Sequence, residues 1–372
     1  MTNQSDLQAS IRALSGSAYD YNSDWETLFD VDAIPTGRDF NGRQLAWLNA
    51  ALGTFYPDLS GARAAYAASQ GLARWDDVVS LTGRATRRFS FVSTGVQYVS
   101  RTCVANAVST AAWTIEGVNV GLNPGTVALA GDKSVIFDCV PIGRLSTFNC
   151  NTNTLTGSFP NLQGATQLVT LDVGANALTG GISRLDDCIA LQSFACGSNA
   201  ALGGAIPSLA GCPALLTWGS RSCGLTGGLP SWASNPLLTS VDVALNSLTG
   251  PVTTLSGNPA LTSFNARNNL LDGPIMSMGG ATALTAVFLY ANKLSEVDAA
   301  FAVAPALGDF EAQDNLLTQA SVDRILRAFV AAGRTTGTRV LNLGGTGNSA
   351  PSATGLTDKA ALVAAGWTVT TN

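Results

Sequence analysis

The sequence predicts a solenoid of mixed α/β class: a stack of short equivalent coils, closed at each end by a unit that does not repeat. Three observations carry this. A pattern recurs eight times, beginning at residues 145, 168, 191, 215, 238, 261, 284 and 307, so the spacing is 23 residues except for one step of 24. Positions 4 and 6 of each copy are small or apolar between polar neighbours, the period of a strand. Position 9 is Asn153, Asn176, Asn199, Cys223, Asn246, Asn269, Asn292 and Asn315 in turn. A coil this short cannot bury its apolar face alone and must do so against its neighbours.

Taken in order, residues 1–83 read as a helical docking module. Leu7, Ile11 and Leu14 share a helical face, and Ser23 with Glu26 forms a capping box ahead of Trp25, Leu28 and Phe29. Residues 84–141 change character: RRFSFVS, AAWTIEG, GTVALAG and KSVIFDC alternate like strands between turns and predict a β-rich connector. Arg84, Arg87 and Arg88 make the one basic cluster, read as a solvated loop or a contact to a neighbouring subunit or anionic polymer. Residues 142–318 hold the eight coils. Residues 319–372 predict a C-terminal cap: a helix Val322–Ala332 begun by Ser321, a strand in RVLNLGG, a helix Thr357–Ala365 and a last strand in GWTVTTN.

Within the coils, positions 4 and 6 point inward as Phe148/Cys150, Leu171/Val173, Phe194/Cys196, Trp218/Ser220, Val241/Val243, Phe264/Ala266, Val287/Leu289 and Phe310/Ala312. The position-9 amides can satisfy backbone groups of their own turn and of the next coil, forming a ladder. The whole pattern resembles the leucine-rich repeat, LxxLxLxxN/CxL, in the version with an LTGxIP tail. That tail is visible at Leu155-Thr156-Gly157 with Phe159-Pro160, at Leu225-Thr226-Gly227 with Leu229-Pro230, and at Ile206-Pro207. The resemblance implies a parallel sheet on a concave face and tolerates Cys223 in the asparagine position.

Composition narrows the chemistry. With no histidine in 372 residues, histidine-dependent triads and histidine-ligated metals are excluded. A net charge of −5 and a pI near 4.7 do not suit a nucleic-acid binder. No run approaches the ~20 apolar residues of a membrane-spanning helix, and the first twenty residues lack the form of a secretory signal. The seven cysteines contain no CxxC pair and read as buried thiols. Cys150 and Cys196 lie two coils apart, too far to bond. Cys188 and Cys212 occupy adjacent coils, where nearness permits a disulfide but parallel side-chain directions oppose it.

No catalytic constellation emerges, and no cofactor is expected. Asp309, Glu311 and Asp314, with Glu296 and Asp298, could supply a carboxylate pair for glycoside hydrolysis, but they also read as a solvated acidic end of the array. GGTGNSAPS at 344–352 lacks the Lys-Ser/Thr of a phosphate loop. Binding is what the pattern offers. Positions 3, 5 and 7 project from the sheet, and most are small. The larger ones are Arg221, Arg267, Phe288, Tyr290, Glu311 and Gln313, suited either to a sugar or peptide ligand or to packing on a neighbouring subunit.

A second resemblance lies in the flanks. YDYNSDWETLFD, FNGRQLAWLNAALG and ARAAYAASQGLARW resemble the N-terminal region of tail-associated virion proteins of tailed bacteriophages. ILRAFVAAGRTTGTRVLNLGGTGNSAPSATGLTDKAALVAAGWTVTTN is similar to the C-terminal unit of phage and bacterial repeat proteins. This implies a non-enzymatic tail fibre, spike or receptor-binding adhesin of the virion, assembled in the host cytoplasm. Its implied partners are other tail or head proteins and a host surface polysaccharide or protein receptor, with a homotrimer by analogy. The alternatives are a bacterial leucine-rich-repeat protein–protein interaction module and, in a third class, a polysaccharide depolymerase.

Overall fold

The structure, a computed structural model, describes residues 142–372 and the backbone of seven strands between residues 87 and 140. The helices expected within 1–83, Cys103 and the side chain of Cys139 lie outside the described residues, as do the side chains of the arginine cluster.

Ten parallel strands stack into one sheet. Eight come from the repeats: β8 Leu145–Asn149, β10 Thr170–Asp172, β12 Ser193–Ala195, β13 Thr217–Gly219, β15 Ser240–Asp242, β17 Ser263–Asn265, β18 Ala286–Phe288 and β19 Asp309–Glu311. Two more, β20 Val340–Asn342 and β21 Thr368–Thr370, extend it into the C-terminal unit. Equivalent residues pair in register, Leu171 beside Phe148 and Phe194, Val287 beside Phe264 and Phe310. This is a leucine-rich-repeat solenoid. The inward positions 4 and 6 are all buried and form one continuous core. Phe194 stacks on Trp218 with centroids 4.0 Å apart, and Ser220 occurs at an apolar position because its Oγ accepts the Trp218 indole N–H at 2.9 Å.

The tails form a second, shorter face. Strands β9 Leu155–Ser158 and β11 Ala177–Thr179 pair in parallel, as do β14 Thr226–Gly228 and β16 Ser247–Thr249. Between these two pairs the strand is interrupted at the third coil, the one with 24 residues.

Before the first coil, β1 Arg87–Ser93 pairs antiparallel with β7 Lys133–Val140, which also takes β4 Thr110–Ile115. β5 Val118–Gly121 follows β4, while β2 Gln97–Val99 and β6 Thr126–Ala128 pair separately. This element holds the solenoid at two points. β1 pairs with β9, and β3 Val104–Ala105 pairs antiparallel with β8, so both edges that the first coil would leave open are occupied.

At the other end, α1 Gln319–Ala332 lays Val322, Ile325, Leu326 and Phe329 over the last coil. Its N-cap is Thr318, not Ser321. Thr318 holds extended backbone and its side chain accepts from Ser321 N, whereas Ser321 is buried in the first turn and donates to Ser295 O. The second helix, α2 Ala353–Ala364, starts four residues before the expected Thr357 because Ser352 caps it by accepting from Gly355 N.

Candidate ligand-binding face

The ladder that holds the coils in place comes first, because it sets the aim of every side chain on the sheet. Asn176 is representative. Its Nδ2 donates to Val173 O in its own coil and to Cys150 O in the preceding one, both at 3.0 Å, and its Oδ1 accepts from Asn153 N and Leu155 N. Asn199, Asn246, Asn269, Asn292 and Asn315 repeat the geometry. Asn348, inside the glycine-rich stretch 344–352, carries it into the cap. It accepts from Leu317 N and donates to Ala312 O.

Cys223 has no amide oxygen to offer. Its thiol donates to Cys196 O at 3.2 Å, and the Leu202 N–H it cannot accept bonds instead to Asn199 O of the same coil. That local turn uses the residue that makes this coil 24 long. The irregular spacing and the substituted asparagine are two parts of one adjustment. Sγ of Cys223 lies 3.7 Å from Sγ of Cys196, and Cys188, Cys196, Cys212 and Cys223 are all buried free thiols. Cys188 and Cys212 are therefore unbonded to each other, with burial pushing the Cys212 thiol up to about 12 and the Cys188 thiol up further.

A second ladder runs through the array, and the repeat pattern does not mark it. On the opposite turn, Cys188, Cys212, Asn235 and Asn258 occupy equivalent positions in successive coils and donate back to Leu162 O, Leu185 O, Leu209 O and Trp232 O. The equivalent position is alanine before and after them, at Ala165, Ala281 and Ala304, so no single residue type marks it.

The open face of the parallel sheet carries positions 3, 5 and 7. Much of its apparent polarity is structural. Asn149, Asp172, Asp242, Asn265 and Asn342 at position 5 each accept the N–H two residues on, closing an Asx turn at the end of the strand. Asp172 also accepts from Asn151 Nδ2. The carboxylates at the end of the array divide likewise. Asp298 accepts from Ala300 N and Asp314 from Thr346 N, so both hold turns. Asp309 and Glu311 remain on the sheet face. Burial, and then the Glu311 carboxylate, raises the Asp309 pKa.

Side chains large enough to contact a ligand gather on three successive coils. Arg267 donates from Nη1 to the Tyr290 hydroxyl at 2.5 Å, and its guanidinium carbon lies 5.3 Å from the centre of the Tyr290 ring. Phe288 sits between Asn265 and Glu311 in the register, and Gln313 donates to Glu311 at 3.1 Å. All five are half-buried. Arg221 is not brought to them. It stands two coils before Arg267 with Ala244 between, roughly 10 Å away at the usual strand spacing. Among the described residues no three histidine, cysteine or carboxylate groups gather as for a metal, and no helix is long and apolar enough to cross a membrane.

No family model matches the chain, and no curated protein matches its sequence. Solved structures similar in part include a plant peptide hormone receptor, RGFR1, in complex with RGF2, at 26% identity and TM-score 0.42 over 47% of this chain and 29% of that one. The functional domain of InlJ from Listeria monocytogenes aligns at 18% identity and TM-score 0.34 over 55% and 50%. A plant ice-binding protein aligns at 19% and 0.38 over 47% and 58%. The alignments span about a quarter to a third of the plant receptor chains.

Proposed function

We propose that the protein is a non-enzymatic binding protein whose ligand, a protein or peptide, lies on the open face of the parallel sheet across coils 6 to 8. One observation carries this: the only described cluster of large side chains on that face is Arg267, Phe288, Tyr290, Glu311 and Gln313, while the other coils fill it mostly with Ser, Thr, Ala, Gly and turn-closing Asx residues. Aromatic and arginine side chains are the types that dominate binding energy at interfaces. Panning a displayed random-peptide library on the protein tests the reading. Enriched peptides should bind Tyr290→Ala about tenfold more weakly; binding indifferent to Tyr290 and Arg267 would place the ligand elsewhere.

A second reading is favoured by the flanks, whose sequences resemble virion proteins of tailed bacteriophages. In it the chain is a tail fibre, spike or adhesin. The N-terminal region docks on tail or head proteins, the solenoid meets a host surface receptor, and assembly takes place in the host cytoplasm. Antibody labelling of purified particles tests it, and absence of label would end it. The two readings are compatible, since an adhesin would use the same sheet face.

A further inference from the structure

The charges on the binding face have an order along the solenoid axis. Arg267, on coil 6, has a cation–π contact and one hydrogen bond to Tyr290 but no carboxylate partner among the described residues. Glu311, on coil 8, accepts from Gln313, with Asp309 on the same strand, and neither carboxylate has a cationic partner among the described residues. Among the described residues the ion pairs are Arg184–Asp186 and Arg327–Asp358, and neither involves a residue of this face. Between the unpaired cation and the unpaired anions lies coil 7, presenting Phe288 and Tyr290 with Ala286. Two strand spacings and a two-residue offset along the strand separate Arg267 from Glu311 by roughly 10–12 Å.

We infer that the ligand is an extended peptide segment carrying one acidic and one basic side chain three or four residues apart with an apolar residue between them. It would lie along the solenoid axis with its acidic group at Arg267 and its basic group at Glu311 and Asp309. An extended chain advances about 3.3 Å per residue, so that spacing spans the two charged ends. Arginine suits a carboxylate through its planar fork of donors. Burial and the neighbouring Glu311 carboxylate raise the Asp309 pKa, and an incoming cation would offset both. A polysaccharide with charge of one sign would leave one end of the face uncompensated, and a neutral one would leave both.

This inference rests on the reading of the sheet face as a peptide-binding surface, and the experiment separates the two. The same displayed library is panned on the full chain and on the variants Arg267→Glu and Glu311→Lys, each checked for an unchanged melting temperature. The wild type should enrich peptides with opposite charges three or four residues apart. Arg267→Glu should enrich peptides with two basic residues at that spacing, and Glu311→Lys peptides with two acidic ones. Each variant should prefer its own set over the wild-type set by about tenfold. If the variants enrich the same peptides as the wild type, the charge order is wrong while a peptide-binding face stands. If the wild type enriches nothing, both readings fall. Retention on a charged or neutral polysaccharide that Tyr290→Ala abolishes would then assign the face to sugar.

Discussion

Position 8 of every coil adopts the left-handed backbone conformation, and in none of the eight is it glycine. Thr152, Ala175, Ser198, Ser222, Leu245, Asn268, Ala291 and Asp314 have φ between 49° and 60°. For most side chains this costs about 1–2 kcal/mol. It is enforced from both sides. The N–H of each residue donates to the position-7 carbonyl of the next coil, or to Gly344 O after the last one, and the amide of position 9 holds the turn behind it. Leu245 bears the strain with a side chain that is 40% accessible and outside the core. Leu245→Asn should therefore raise stability by about 0.5–1 kcal/mol, read from the denaturation midpoint, because asparagine tolerates this conformation. The opposite result is expected next door. Asn246 donates to Ser220 O, Val243 O and Ala244 O and accepts from Cys223 N and Leu225 N. Asn246→Ala should cost about 1–3 kcal/mol by orphaning those groups, and an unchanged melting temperature would show that the ladder is not a source of stability. Asp309 gives the pH dependence. Its pKa is higher folded than unfolded, so the folded state binds the proton more tightly. Stability from this group is greatest at low pH and declines as pH rises from the unfolded value through the raised folded one. Asp309→Asn should flatten that decline and raise the melting temperature at neutral pH.

At the scale of the element, the third coil shows how sequence irregularities are coupled. Leu202, with its extra upstream residue, satisfies its N–H on Asn199 O, whereas its equivalents Leu178 and Leu225 reach the amide oxygen of the next coil's asparagine. Restoring the repeat consensus by Cys223→Asn alone brings an amide oxygen into a buried site whose donor is already engaged. It should lower stability by about 1–2 kcal/mol. Deleting Ala201 in the same chain shortens the coil to 23 residues and frees Leu202 N, so the double change should recover the loss in thermal denaturation. Independent, additive effects would contradict the coupling. Most of the repeat was legible because a burial requirement repeated eight times leaves a period in the residue types. Features that did not repeat in residue type were not. The left-handed turn is carried by six kinds of residue, and the second ladder is alanine, cysteine or asparagine according to the coil. The glycine-rich segment looked like a failed phosphate loop; it is the place where Asn348 ends the ladder. The candidate face was legible as unusually large residues at outward positions. The Asx turns that remove Asn149, Asp172, Asp242 and Asn265 from it depend on a backbone N–H two residues on and leave no mark in composition.

At the scale of the molecule, each described coil pairs with the coils on either side of it, so stability is set by internal interfaces and by what closes the two ends. At the C-terminal end closure is aromatic. Phe310 of the last coil meets Phe329 of α1 edge-to-face at 5.6 Å, and Phe329 meets Trp367 the same way at 5.2 Å, while the Trp367 indole donates to Arg334 O. Phe329 thus joins the last coil, the cap helix and the start of the final strand. Truncating it by Phe329→Ala leaves a cavity at that junction and should cost about 3–5 kcal/mol locally. The loss need not reach the other end, because among the described residues the two ends are connected through a chain of nearest-neighbour contacts. Amide hydrogen exchange should therefore speed up in β19, β20 and β21, less in β17 and β18, and not at all in β8 and β10, which the antiparallel strands β1 and β3 hold through β9 and β8. The proposed binding face spans coils 6 to 8, so, if it holds a peptide, the same variant should weaken that binding without touching a contact residue. Exchange that rises equally in every strand would mean that the array unfolds as a single unit, and the end-to-end gradient would be lost.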